Sequence, residues 1–499
     1  MRIIRWWHGW SQCRPNLAAL GLGALSALAL PPLFVLPALL IALPGLLALT
    51  EGQSFRRAFR LGVAFAIGHH LLGLYWITEA ILFEVARFWW LLPLAVPALS
   101  VVLSPFIALP VAVAARLPSG LARVLVLAGG WTLAGIAQQF VATGVPWNPL
   151  GSVWAIPGAV GDVALQPAAL FSVHGLTLLT VLLASLPSLG RSAWAAGAAL
   201  LTLWLSWGAD RLAEPAAPAS GLIAVLVQGN VVQGQKANRA AYLENFNRHL
   251  KLTETGVAEA MGKPTLVIWP ETASPFLIDR DAAARAAVAE AAQGPAMVGS
   301  IRIDADGQPR NSLMAVYGPG PVAGLYDKWH LVPFGEYVPD WLPLPVKILP
   351  GQGLAKGSGP ETISFGGLPP AGLLICYEAI FPGQVVDEAN RPDMLVNITN
   401  DSWFGNSTGP RQHLAAVRLR AVEEGLPLMR AANTGITAGF DAHGRELGRL
   451  NMGEQGVLLV PVPGPLPPTL FARLGLWWPT GLALLTLLAG WGLARKGRY

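Results

Sequence analysis

The sequence predicts two structural classes in one chain: a multi-span α-helical membrane bundle and an α/β layered domain. Three observations predict this. Charged residues make up 13% of the 499 positions and hydrophobic residues 53%, with a mean hydropathy of +0.48, against about 25% charged residues in ordinary globular domains. The charge is unevenly placed: residues 15–210 and 474–494 carry almost none, while residues 221–460 have an ordinary mixture. Within that mixture, short β-rich runs alternate with helical patterns. The net charge of +5 is small for this length and needs no nucleic-acid partner, because membrane proteins concentrate Lys and Arg on one side of the bilayer.

A spanning helix needs about 20 mostly apolar residues. Seven such segments precede the charged region, at 16–31, 33–50, 61–82, 89–115, 121–141, 163–188 and 192–208, and an eighth follows at 474–494. Several contain Pro and Gly, which membrane helices tolerate. The first reads as a span rather than a cleaved signal, since no polar segment follows it. The expected domains are therefore a membrane domain over 1–210, a second domain over 221–460 and a last span over 474–494.

Basic residues in short loops set the orientation. Arg2, Arg5 and Arg14 precede the first span, and Arg56, Arg57 and Arg60 lie between the second and third. Arg116 and Arg123 lie between the fourth and fifth, Arg191 between the sixth and seventh, and Arg495, Lys496 and Arg498 after the eighth. The alternate loops hold Arg87 with Glu84, or Asp162 with no base. Both termini are expected in the cytoplasm and residues 221–460 outside. The two cysteines, Cys13 and Cys376, then lie on opposite sides of the membrane. Cys376 is expected as a thiol that forms no disulfide in an oxidising compartment, which calls for a reason.

The stretches "AEPAAPASG" and "PVPGPLPPTL" flank the charged region as Pro-rich linkers. Inside it, "LIAVLVQG", "TLVIWPE", "AMVGSIRI", "SLMAVYG", "GLLICYE", "DMLVNITN", "LMRAANTG" and "GVLLVPV" read as strands, and 238–261, 280–293 and 410–424 as helices. Continuous apolar runs such as TLVI and GLLI suit strands covered on both faces. Layers of helix and sheet follow.

Three strand ends carry chemistry. Glu271 follows "TLVIWP", Lys328 follows "GLYD" with Glu336 eight residues on, and Cys376 follows "GLLI". Strand ends present side chains into shared crevices. A thiolate is a strong nucleophile, but an ordinary thiol has a pKa near 8.5 and is mostly protonated at neutral pH. A carboxylate such as Glu271 can take its proton, and an ammonium such as Lys328 can meet the oxyanion formed at an ester carbonyl. Taken singly, a buried Cys is more often an inert small hydrophobe, and a Glu or Lys after a strand a solvated charge; the combination carries the reading. A Cys–His pair using His330 or His413 remains the rival. No His, Cys, Asp and Glu spacing suggests a metal site, and no cofactor is expected.

These motifs resemble the nitrilase superfamily, whose members place a Glu–Lys–Cys triad on an α-β-β-α sandwich. "HLVPFGEYVP", "WPET", "CYE" and "NDSWFG" within an eight-span frame resemble, more closely, the apolipoprotein N-acyltransferase family of the bacterial inner membrane. The resemblance implies Glu271 as general base, Lys328 as oxyanion stabiliser and Cys376 as nucleophile. It places Glu336, Tyr377 and Glu378 around the nucleophile and Trp403 at a lipid-facing mouth. It implies a ping-pong reaction in which a phospholipid acylates Cys376 and the α-amino group of a diacylglyceryl-cysteine on an apolipoprotein takes the chain, with the catalytic domain facing the periplasm. The thiol is single because it must remain available for acylation. One departure is visible: Ala237 follows Lys236 where the family usually has an aromatic residue. Two other classes are weighed. A membrane-anchored amidase for small amides would not need eight spans. A transporter would place ionisable groups in its spans, which offer little beyond His69, His70 and His174. The loop 337–360, rich in Pro and Gly, is expected to border the lipid entrance as a lid.

Overall fold

The computed structural model describes residues 13–83, 85–232, 239–339 and 353–496. Ala237 and most of the expected lid lie outside the described residues. The chain divides into two compact units.

The first unit comprises Met1–Ala213, Ser407–Ala415 and Leu470–Tyr499. It is helical, and its longer helices are Pro15–Ala27, Leu39–Leu49, Phe55–Gly73, Leu121–Gln138, Ala168–Ala184, Arg191–Arg211 and Trp477–Lys496. Its core is built from leucine, alanine and valine of several helices, including Leu22, Leu43, Leu61, Leu127 and Val181. Among the described residues, Ala95–Ala114 and Leu121–Gln138 are long and apolar enough to cross a membrane. The pair Ala159–Leu165 and Ala168–Ala184, bent by 91°, makes a third if it is one span.

Two sequence expectations change here for identifiable reasons. The segment 163–188 is not one straight helix: Ala159–Leu165 and Ala168–Ala184 are bent by 91°, and within the second Ser172 leaves helical geometry with a left-handed φ of 58°. The segment 61–82 begins earlier, because the Ser54 side chain accepts from Arg57 N and caps a helix over Phe55–Gly73. Arg56, Arg57 and Arg60 therefore lie in the first turns of that helix rather than in a loop.

The second unit comprises Glu214–Asn406 and Ala416–Thr469. It contains two six-stranded sheets. In chain order the strands are β1 (Ile223–Gln228), β2 (Thr265–Ile268), β3 (Ala296–Ile303), β4 (Pro309–Val316), β5 (Gly324–Asp327), β6 (Thr362–Ile363), β7 (Ala371–Ile375), β8 (Met394–Thr399), β9 (Leu428–Ala432), β10 (Thr437–Phe440), β11 (Glu446–Leu450) and β12 (Gly456–Pro461). The sheet orders are β12-β1-β2-β3-β4-β5 and β11-β10-β9-β8-β7-β6. At the centre of each, three strands run parallel: β1-β2-β3 in one and β7-β8-β9 in the other.

The period-two alternation of a strand explains the layers. In β1, Ala224 and Leu226 join a core with Leu373, Ile375, Val396 and Ile398 of the facing sheet. Their neighbours Val225 and Val227 turn the other way, onto Phe246 and Val288 of the helices Tyr242–Glu259 and Ala282–Ala292. Both faces of the strand are thus covered, which is why its sequence is an unbroken apolar run. The outer helix of the other sheet is Gly409–Glu424, where Val417, Ala421 and Val422 are buried. The result is an α-β-β-α sandwich.

The start of that helix has a separate environment. Ser407–Ala415 packs with the helical unit. There Gln412 Oε1 accepts from Trp76 Nε1 at 3.0 Å and Trp147 Nε1 at 2.9 Å. Its Nε2 donates to Pro31 O and Gly73 O, each at 3.2 Å.

Candidate active site

Four strand ends of the sandwich supply the site. Glu271 follows β2 across Trp269 and Pro270; Lys328 follows β5; Cys376 follows β7; Asn400 follows β8. Cys376 has φ 52°, a left-handed conformation unusual for a residue with a Cβ. The chain turns sharply there, from the buried strand into the short helical turn Cys376–Ile380. Thr272, next to Glu271, has φ 49°. Backbone strain of this kind gathers at functional sites.

The carboxylates converge on Lys328. Its Nζ donates to Glu271 Oε1 at 3.2 Å and to Glu336 Oε1 at 2.9 Å. Asn311 Nδ2, from β4, donates to the same two oxygens at 2.7 and 3.1 Å. The second oxygen of each carboxylate is held by backbone: Glu271 Oε2 by Asn400 N and Glu336 Oε2 by Val332 N, both at 2.7 Å. Lys328 is 1% exposed and Glu271 5%, so no bulk water screens the pair.

Their charge states follow. Burial opposes the charge of Glu271, but Lys328 and the hydrogen bonds from Asn311, Lys328 and Asn400 outweigh it and hold the carboxyl below its ordinary value. Burial also opposes the ammonium of Lys328, yet Glu271, Glu336 and Cys376 carry it well above the usual lysine range. These neighbours hold the charge on Lys328, which suits it to donate rather than to act as a base. At Cys376, burial and the Glu271 charge push the thiol up, while Lys328 pulls the other way. The resting site is a neutral thiol beside an ionised Glu–Lys pair.

Glu378 holds backbone on two of the segments that carry the triad candidates. Its Oε2 accepts from Ile375 N at 2.6 Å and Tyr326 Oη at 2.8 Å, and its Oε1 from Trp329 N at 2.7 Å and His330 N at 3.3 Å. One buried carboxyl therefore ties the residue before Cys376 to both sides of Lys328. Burial pushes it up to about 7 despite these donors. Tyr377 is buried against Phe381, ring centroids 5.2 Å apart. Trp403, in the turn Asp401–Phe404 beyond β8, is 43% exposed.

The two histidines of the rival reading have other partners. His330 Nε2 is engaged with Gln384 Oε1 at 3.0 Å, and its ring is stacked on Phe381 at 3.8 Å. Burial lowers its pKa to about 4, leaving a neutral packed imidazole. His413 belongs to the helical unit, its ring 5.8 Å from that of Trp147. Sequence reasoning missed Asn311 and Arg430, and it read Asn400 and Asp401 in "NDSWFG" only as polar groups near the site. Asn311 and Asn400 sit at ends of apolar strands, and only that position, a buried amide beside a triad strand, marked them in advance.

This fold and this cluster define a class. The carbon-nitrogen hydrolase family profile matches residues 226–464, nearly all of the sandwich, with all three triad candidates. The profile of the apolipoprotein N-acyltransferase N-terminal domain matches residues 22–186, within the helical unit. The apolipoprotein N-acyltransferase of Bradyrhizobium diazoefficiens is 39% identical, covering 95% of this chain and 93% of that protein. That of Allorhizobium ampelinum is 36% identical, covering 90% and 89%. The chain belongs to the apolipoprotein N-acyltransferase family. Among solved structures, a carbon-nitrogen hydrolase from Helicobacter pylori G27 is similar at 16% identity and a TM-score of 0.38, covering 48% of this chain and 88% of that one.

Proposed function

We propose that this chain moves an acyl chain from a phospholipid, through a thioester on Cys376, to the α-amino group of the N-terminal diacylglyceryl-cysteine of apolipoproteins. The observation that carries the chemistry is the buried Lys328 ammonium held between the Glu271 and Glu336 carboxylates, beside a thiol at a strained strand end.

In the first half-reaction the Cys376 sulfur attacks the ester carbonyl while its proton passes to Glu271. The two movements go together, since a lowered carboxyl cannot deprotonate a raised thiol in advance. The carbonyl oxygen becomes an oxyanion, and Lys328 meets that charge without reorganising. Collapse expels the lysophospholipid alkoxide, which takes the proton from Glu271. In the second half-reaction Glu271 accepts a proton from the attacking amine, an amide forms and the thiol is restored. Glu336 holds Lys328 in place and shares its charge. Tyr377 and Glu378 keep the nucleophile's turn packed and tied. Trp403 supplies an exposed aromatic wall for the acyl chain, and exclusion of water protects the thioester from hydrolysis.

The phospholipid donor and lipid-anchored acceptor call for a site at a membrane surface. In this reading residues 1–210 form seven spans and residues 474–494 an eighth in the bacterial inner membrane, with residues 221–460 in the periplasm. The arginine pattern supports it: basic residues mark the loops expected in the cytoplasm and are scarce in the others. The test combines purified enzyme, phospholipid labelled in its acyl chain and a synthetic diacylglyceryl lipopeptide. Label should appear in the lipopeptide as an amide. Label released only as free fatty acid would contradict the acceptor.

A further inference from the structure

Behind Cys376 lies a buried polar chain that the triad does not use. β7 and β8 run parallel with Ile375 opposite Ile398, so Cys376, just past β7, lies beside Thr399, the last residue of β8. The Thr399 hydroxyl hydrogen-bonds the thiol and donates to Asp401 Oδ1 at 3.0 Å. Asp401 Oδ2 accepts from Arg430 Nη2 at 2.7 Å, with both side chains fully buried. Arg430, on β9, also donates to Asn397 Oδ1 and to Ile436 O. Gly435 closes the far side, since a Cβ there would lie 2.3 Å from Asp401 Oδ2. The carboxylate therefore has a fixed position and a fixed counter-ion.

A hydroxyl has one hydrogen and two lone pairs. With its hydrogen on Asp401, Thr399 can only accept from sulfur, and an accepting oxygen favours S–H over the thiolate. A thiolate needs that hydrogen turned toward it. The charged groups that face the sulfur are Glu271, Lys328 and Asp401. Of these, only Asp401 also holds the Thr399 hydrogen.

We propose that Thr399 is a two-position switch for the nucleophile. In the resting enzyme it accepts the S–H of Cys376 and donates to Asp401; as the thiol proton passes to Glu271, its O–H swings from Asp401 to the sulfur. One proton moves, from Sγ to the Glu271 carboxylate, and Thr399 keeps its own. Arg430 neutralises Asp401 when the hydroxyl has left it. Thr399, Asp401 and Arg430 are positioning residues, and the aspartate sets the resting position. The switch rests on the reading of Cys376 as nucleophile.

The test reads the thiol directly. The full-length protein in detergent is alkylated with iodoacetamide across a pH series, and modification of Cys376 is followed by peptide mass, with the exposed Cys13 as internal reference. Thr399→Val should slow alkylation of Cys376 roughly ten- to a hundredfold and move its profile to higher pH, because a hydrogen bond to a charged group is lost. Thr399→Ser should stay within about threefold of the native rate, since it keeps the hydroxyl. Asp401→Asn should move the profile the other way, to lower pH, and a profile lower by about one pH unit means about tenfold faster alkylation at a given pH. Asp401→Asn leaves Arg430 charged and buried, so the pair Asp401→Asn/Arg430→Gln is made as well, with the same direction expected. A native profile in Thr399→Val, equal slowing in the Val and Ser variants, or a move to higher pH in both aspartate variants would each overturn the switch. Native enzyme that shows these profiles but gains no acyl group from phospholipid would sink the acyltransferase reading while upholding the switch. An acyl adduct with unmoved profiles would do the reverse.

Discussion

The Cys376 thiol is held neutral, because burial and Glu271 oppose its ionisation and Lys328 only partly offsets them. Each triad side chain therefore has a distinct signature when removed. Cys376→Ser keeps the shape with a poorer nucleophile and should form no detectable acyl-enzyme. Lys328→Ala should slow acylation about 10²–10³-fold, as loss of one oxyanion partner does elsewhere, and Glu271→Gln should slow both half-reactions. His330→Ala should keep the chemistry, since that ring is neutral, stacked and engaged with Gln384. Rapid-quench measurement of acyl-enzyme formation decides among these, and loss of acylation in His330→Ala with retention in Glu271→Gln would reinstate a Cys–His mechanism. Glu378 gives a pH prediction. Its folded pKa of about 7 lies above the ordinary 4.5. The stability it contributes is therefore full below about 4.5 and is lost as pH rises through about 7. Activity should run the opposite way: only the ionised carboxylate can accept all four donors, so acylation should rise as pH passes through about 7, and Glu378→Gln should remove that limb. A limb that persists in the Gln variant belongs to another group. At this scale the three residues of the proposed triad stand out in the sequence, because each is chemically apt and follows an apolar run. Thr399, Asp401 and Arg430 were not: their meaning depends on β7, β8 and β9 lying side by side, and nothing local in the sequence announces that pairing.

The elements place these residues through turns that tolerate few substitutions. Gly299 on β3 shows this. A Cβ there would lie 2.1 Å from Pro270 O and 2.8 Å from Glu271 Cα, inside van der Waals contact. Gly299→Ala should therefore push Glu271 away from Lys328 and Asn400, slowing acylation while the Cys376 turn, carried by the other sheet, stays intact. The check is acyl-enzyme formation set beside iodoacetamide labelling of Cys376; equal loss of both would mean a general folding defect instead. The long apolar strands were legible because burial on both faces leaves continuous runs. Thr362–Ile363 was not, being two residues long, nor was Glu446–Leu450, whose mostly exposed residues form no continuous apolar run. Helix geometry was misjudged where a single residue decides it, as Ser54 does by capping Phe55–Gly73 and Ser172 by leaving helical φ/ψ within the segment 163–188.

For the whole molecule, the division between helical and α/β parts was written in composition, since lipid and water demand different surfaces. The assignment of Ser407–Ala415 to the helical unit was not legible, because the helix Gly409–Glu424 runs through that boundary without a break in pattern. Gln412 is the residue that makes the assignment intelligible: its amide is used on all sides, by two tryptophans and two backbone carbonyls. Gln412→Leu should cost about 2–4 kcal/mol through the buried groups it leaves unpartnered, read as a lower midpoint of thermal unfolding in detergent. The orientation makes its own prediction. Protease added to intact spheroplasts should cut in the Pro-rich linkers flanking 221–460; cutting only after the membrane is broken would reverse the topology.

The central claim is that Cys376 carries the acyl chain, and the mass of the intact protein tests it most directly. After exposure to phospholipid of one defined acyl composition, the native chain should gain the mass of one acyl group less one hydrogen. The gain should map to Cys376, disappear with neutral hydroxylamine or added lipopeptide, and be absent from Cys376→Ser. An unmodified native chain that still transfers label to the lipopeptide, or an adduct that survives in Cys376→Ser, would contradict the account.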